Sequence, residues 1–186
     1  YQPFVGYLAR AGVDMSDLPS WLRSVDLEGH ERGEVPGEIL LERIASLAAR
    51  PLDLAELRSH WLSMFEPWDE MFTLASGLKA DYRVYLLSNI GDMHWAHLDS
   101  LYGLDALVHG ACASFRVGAI KPHVDIYRKA EVMFDLDPSA TVFLDDLLPN
   151  VTAARECGWH AIHHIDAGLT RSQLRTLGVR LPAPFT

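Results

Sequence analysis

Three short clusters of polar residues stand where apolar runs end. Leu86-Leu87 gives way to Ser88-Asn89, and Val142-Phe143-Leu144 gives way to Asp145-Asp146, with Asn150 four residues beyond. Gly118-Ala119-Ile120 leads into Lys121-Pro122. A hydroxyl among turn amides suits an anionic oxygen. Pro122 reads as the start of a helix, which would hold Lys121 at the positive end of that helix. Adjacent carboxylates repel one another unless a cation or an ammonium group lies between them, and Mg²⁺ matches oxygen donors of this kind. Taken singly, these clusters are a turn, a solvated helix start and an N-cap. Their common placement at strand and helix boundaries points to a site for an anion and a hard cation.

The elements that must position them follow from the apolar spacing. From residue 82 onward, short apolar runs alternate with helical patterns. Residues 83–87, 111–114, 141–144 and 160–164 read as strands. Ile126, Ala130 and Met133 mark one helix, and Val151, Ala154 and Cys157 mark another that ends at Gly158. Strands alternating with helices imply βα units and a parallel sheet covered on both faces, with ligands beyond the carboxyl ends of the strands. Residues 1 to about 80 read as helices only. Phe4, Tyr7, Leu8 and Ala11 form one stripe closed by Gly12, and Leu18, Trp21, Leu22 and Val25 form a second. Pro36 opens a third segment with Leu40, Ile44 and Leu47, and Asp53 caps a fourth with Leu57 and Trp61. A fifth runs around Met71, Leu74 and Leu78. Asp14-Met15-Ser16-Asp17 reads as a turn and helix cap between the first two.

Composition narrows the class. The chain has 186 residues, 16 Lys+Arg against 25 Asp+Glu and a net charge of −9, with 49% apolar residues. That apolar fraction excludes disorder, and no apolar stretch approaches the ~18 residues of a membrane span. The acidic balance argues against nucleic acid as a partner but leaves room for a small phosphorylated substrate at a locally positive site. Cys112 and Cys157 fit small buried side chains in a reducing compartment, so a cytoplasmic location is expected. His94, His97, His163 and His164 read as hydrogen-bonded or solvated rather than as a transition-metal centre. Arg171, Arg175 and Arg180 read as a solvated helix face, and Pro182 and Pro184 mark a terminal tail.

Leu86-Leu87-Ser88-Asn89, then Lys121-Pro122-His123-Val124-Asp125-Ile126-Tyr127, then Val142-Phe143-Leu144-Asp145-Asp146 through Asn150 and Gly158 resemble motifs II, III and IV of the haloacid dehalogenase superfamily. The helical first half resembles the small helical cap of that family, and His30-Glu31-Arg32-Gly33-Glu34 with Val35-Pro36 is similar to a cap segment of its sugar-phosphate phosphatase branch. The resemblance implies an α/β fold: a three-layer Rossmann-like parallel core over residues 68–186 and an α-helical cap over 1–67. It implies a Mg²⁺-dependent phosphatase of small phosphorylated metabolites, working through a phosphoaspartate. Ser88 and the amide of Asn89 would bind the phosphoryl group, and Lys121 would neutralise it. Asp146 would ligate Mg²⁺, Asp145 would support metal and lysine, and Asn150 would orient a metal-bound water. Arg32 would help shape the substrate pocket. No membrane or nucleic-acid partner is expected, and a homodimer is left open.

The family's motif I, an apolar strand ending in Asp-x-Asp, has no match in these residues. Asp14, Asp17 and Asp26 follow no apolar strand. The expectation is a further central strand ahead of Tyr1, roughly 10–15 residues with its loop. Without it the chain should be inactive. Two other functions compete: a 2-haloacid dehalogenase, against which the Asp145-Asp146 pair argues, and a non-catalytic domain lacking the nucleophile.

Overall fold

The computed structural model describes residues 2–182, with only the backbone of Gln2. Tyr1 and Pro184 lie outside the described residues. The helical part comprises α1 (Gln2–Arg10), α2 (Leu18–Val25), α3 (Leu27–Glu31), α4 (Gly37–Ser46) and α5 (Leu54–Leu62). Local chemistry sets the boundaries. Gly12 takes the left-handed conformation (φ 78°) after α1. Asp14 accepts from the Ser16 amide, Asp17 caps α2 and Asp53 caps α5 through the amides of Ala55 and Glu56. Asp26 is itself left-handed (φ 59°), so it ends α2 and caps α3 through the Gly29 amide. The periodicity had not separated α3 as an element. Pro36 is the N-cap of α4 rather than its first residue. These helices enclose their own core of Leu8, Val25, Leu40, Ile44, Leu57 and Trp61.

The second part runs α6 (Asp69–Leu78), β1 (Leu86–Ser88), α7 (Asp92–Tyr102), α8 (Leu104–Leu107), β2 (Ala111–Ala113) and α9 (Ser114–Val117). It continues with α10 (Val124–Phe134), β3 (Val142–Asp145), α11 (Leu148–Glu156), β4 (His160–His163) and α12 (Ala167–Thr176). Side-chain alternation along the strands builds the layers. Leu87 and Phe143 face one way, into a core with Ile126, Tyr127, Ala154 and Trp159. On the opposite face Leu86 packs with Trp95 and Leu104, and Leu144 packs with Leu74, Ile162 and Leu174. Helices therefore cover both sides, as the α/β reading requires. Arg180 lies beyond the end of α12 rather than on a helix face.

The parallel strands form two separate pairs. β1 pairs with β2 (Leu86 opposite Ala111), and β3 pairs with β4 (Val142 opposite His160). The Leu86 amide donates to Gly110, so the backbone groups of Leu86 face β2 and those of Leu87 face away from it. In β3, the carbonyls of Thr141 and Asp145 accept from His160 and His164. The backbone groups of Val142 and Leu144 consequently face away from β4. No further described strand lies along either pair, whereas the alternation of elements had suggested one continuous sheet.

Candidate active site

Lys121 joins the two pairs. Its ammonium donates to the Leu87 carbonyl on the open edge of β1 (2.9 Å) and to Asp145 Oδ2 at the end of β3 (2.7 Å). It also stands 5.6 Å from the centre of the Phe143 ring. The Asp145 side chain is buried at 5% exposure, and that of Lys121 is largely covered at 11%. The helix expected to open at Pro122 starts only at Val124, because His123 is still extended (φ −64°, ψ 139°). Lys121 is therefore not held by a helix N-terminus. Asn89 holds it instead: its Oδ1 accepts from the Lys121 amide (2.7 Å) and its Nδ2 donates to the Lys121 carbonyl (2.9 Å). The side chain of Asn89 thus positions the lysine.

The two adjacent aspartates occupy opposite environments. Asp145 Oδ1 accepts from the Leu147 amide (2.9 Å) and from Asn150 Nδ2 (2.8 Å), while Oδ2 takes Lys121. Asn150 is itself buried, and its carbonyl accepts from the Tyr127 hydroxyl (2.8 Å). Burial raises the pKa of that phenol, so it stays a donor. Asp146 is exposed just past β3, where its carbonyl meets His163 Nε2 at 2.9 Å. Among the described residues no group of three or more His, Cys, Asp or Glu side chains converges as a metal centre. The donor set nonetheless fits Mg²⁺, which commonly takes one or two carboxylates and completes its shell with phosphate and water. Of the two aspartates, Asp146 is the exposed one. Ser88 sits half-buried at the end of β1.

Ser114, unremarked in the sequence, fixes the loop after Ser88. Its hydroxyl donates to the Ile90 carbonyl (3.1 Å) and accepts from the Ile90 amide (2.9 Å), fully buried. Only its position after a weak strand could have marked it. Arg32 pairs along α3 with Glu28 (3.0 Å). Burial raises the pKa of its neighbour Glu31, and Lys121 is the cation opposing that rise. The histidines behave as hydrogen-bonding groups. His94 meets the Trp61 carbonyl at 2.7 Å, and its pKa is pushed down to about 4 by burial. His164 meets Thr170 Oγ1 at 2.6 Å. Cys112 and Cys157 are free and buried, with both thiol pKa values raised by burial. No described helix is long and apolar enough to cross a membrane.

No family model matches the chain. A sesquiterpene phosphatase of Aspergillus oryzae is 28% identical over 167 residues, covering 89% of this chain and 85% of that protein. A D-ribitol-5-phosphate phosphatase of Bacteroides thetaiotaomicron is 25% identical over 154 residues, covering 79% and 75%. Among solved structures, a HAD-like hydrolase of Porphyromonas gingivalis superposes with a TM-score of 0.78 at 23% identity, over 96% of this chain and 91% of the other. A HAD family enzyme of Bacteroides thetaiotaomicron, solved with magnesium and inorganic phosphate, gives 0.74 at 21% identity over 86% and 84%. With helices on both faces of its parallel strands and a helical bundle before them, the chain shares the fold of these HAD family enzymes.

Proposed function

We propose that this chain serves a Mg²⁺-dependent phosphatase of small phosphorylated metabolites, of the sugar-phosphate type. Residues 1–67 are the cap and 68–186 the catalytic core. The observation that supports this reading is the buried Lys121 ammonium, held between the ends of β1 and β3 beside Ser88 and Asp146. The Ser88 hydroxyl and Lys121 bind and neutralise the phosphoryl oxygens, and Asp146 offers its carboxylate to the metal. Bound Mg²⁺ would supply Lewis-acid stabilisation of the charge that develops on the transferring group.

The nucleophile belongs on an apolar strand between β1 and β3, ending in Asp-x-Asp. The outward-facing backbone groups of Val142 and Leu144 suit such a neighbour, since each would cost about 1–3 kcal/mol if buried unpaired. Its first aspartate attacks phosphorus while the ester oxygen leaves with the bonding pair and takes a proton from the second. Water then cleaves the aspartyl phosphate, returning the carboxylate and releasing phosphate.

The test uses the full-length protein and an aryl phosphate. Phosphate release should require Mg²⁺, and Asp146→Asn should lower kcat/KM at least about a hundredfold, the effect of several kcal/mol of lost transition-state stabilisation. Because Asp146 is exposed, the same change should leave the urea midpoint nearly where it was. Full activity in excess chelator would overturn the assignment.

A further inference from the structure

We propose that Ser114 is a positioning residue for phosphoryl transfer, its hydroxyl setting the separation between the Ser88–Asn89 turn and Lys121. The inference rests on the phosphatase reading above and adds a residue which that reading does not use. Ser88 lies opposite Ala113 in the register of β1 and β2, so the two strands end side by side. Each strand then runs into a segment that carries one of the groups assigned to the phosphoryl oxygens. Ser88, Asn89 and Ile90 form the first segment. Residues 114–121, through α9 and the left-handed Gly118 (φ 64°), form the second and end at Lys121.

The two segments hold one another by a reciprocal clasp. Asn89 of the first brackets the amide and carbonyl of Lys121 in the second. Ser114 of the second brackets the backbone of Ile90 in the first, accepting from its amide at 2.9 Å and donating to its carbonyl at 3.1 Å. Among the described residues no other hydrogen bond meets these four backbone groups. Ser114 is 0% and Ile90 6% exposed, so water does not stand in for the missing hydroxyl, and its loss strands a buried amide and a buried carbonyl. The turn must then shift to find other partners. The Lys121 ammonium does not shift with it, because the Leu87 carbonyl and Asp145 keep it in place. Ser88 is thereby displaced relative to Lys121. Donors held in place contribute to rate only where they fit the phosphoryl group in its transition state, and a misplacement of about 1 Å can cost about a hundredfold. Ser114 gives its own proton to Ile90 and is enclosed, so it acts through the turn and not on the substrate.

The full-length protein and its Ser114→Ala and Ser114→Cys variants should be compared on an aryl phosphate with Mg²⁺, with inorganic phosphate and orthovanadate as inhibitors. Cysteine nearly keeps the volume of serine but hydrogen-bonds weakly, so both variants should lose activity. Their kcat/KM should drop about ten- to hundredfold, chiefly through kcat. Orthovanadate, which takes up the five-coordinate geometry of the transferring group, should weaken by a similar factor, and phosphate by less than about threefold. Lost packing or stability alone would not separate the two inhibitors. Urea midpoints establish that the variants are folded, and if Ser114→Ala is not, Ser114→Cys carries the same comparison. An unchanged kcat in a folded variant refutes the role of Ser114, as does equal weakening of both inhibitors. If the wild type releases no phosphate from the aryl ester, the phosphatase reading fails and takes this inference with it.

Discussion

Removing the Lys121 ammonium should be among the most destabilising single changes in the core. In Lys121→Met the aliphatic stem survives, so packing against Phe143 is largely kept. The charge facing Asp145 at 2.7 Å is lost, and that carboxylate remains 5% exposed with only the Leu147 amide and Asn150 Nδ2 as donors. Breaking a buried pair from one side typically costs about 3–5 kcal/mol, because the survivor is an uncompensated buried charge. Against a total stability of roughly 5–15 kcal/mol, that is a large fraction. Asp145→Asn should cost a similar amount, since Lys121 then keeps the Leu87 carbonyl alone. The double variant has no stranded charge, so its cost should fall short of the summed single costs by at least about 2 kcal/mol. Urea unfolding followed by tryptophan fluorescence measures all three. Additivity within about 0.5 kcal/mol, or a Lys121→Met cost under about 1 kcal/mol, would show that the pair does not hold β1 and β3 together.

Two further outcomes test the seam between cap and core. Gly91→Ala should destabilise by about 1–3 kcal/mol, because the new methyl overlaps the buried His30 ring, and His30→Ala should recover part of that loss when combined with it. Urea midpoints of the two single variants and the double provide the check, and a Gly91→Ala protein as stable as the wild type contradicts the close contact. His94 makes stability depend on pH. Its folded pKa of about 4 lies below the ordinary 6.5, so the unfolded chain binds the proton first as pH falls. Stability should drop by about 3 kcal/mol between pH 6.5 and 4 from this group, and no further below. His94→Gln should remove most of that drop in unfolding curves taken at pH 7, 6, 5 and 4, and an equal drop in both proteins speaks against it.

What the sequence disclosed is what local chemistry decides. Asp17 and Asp53 cap the helices they precede, Gly12 ends α1, and all four strand positions are recognisable from short runs, that of β2 being the weakest. The polar residues after those runs are where the parallel pairs end. The remainder depends on contacts between distant residues. No spacing rule reveals that Asn89 grips the backbone of Lys121, 32 residues away, or that β1 and β3 lie in different pairs. Arg32 stood out by its position in the helical segment alone, and its ion pair with Glu28 depends on the turn of α3 between them. Asp26 hid α3 because a non-glycine residue in the left-handed region is not marked by hydrophobic periodicity.

The arrangement of charge also recasts the acidic composition. Around the end of β3 lie the Lys121 ammonium and the two adjacent carboxylates Asp145 and Asp146. Lys121 is committed to Asp145, so that pair presents little net charge to a ligand. Asp146 then remains as a negative group toward any phosphomonoester, itself an anion, and like charges repel. Such a site attracts phosphate only when positive charge is added beside Asp146. A divalent cation there changes the sign of the local field without disturbing the buried Lys121–Asp145 pair. The adjacent aspartates thereby divide the work: Asp145 stabilises the lysine, and Asp146, one residue further along and open to solvent, is the one whose charge a metal can offset.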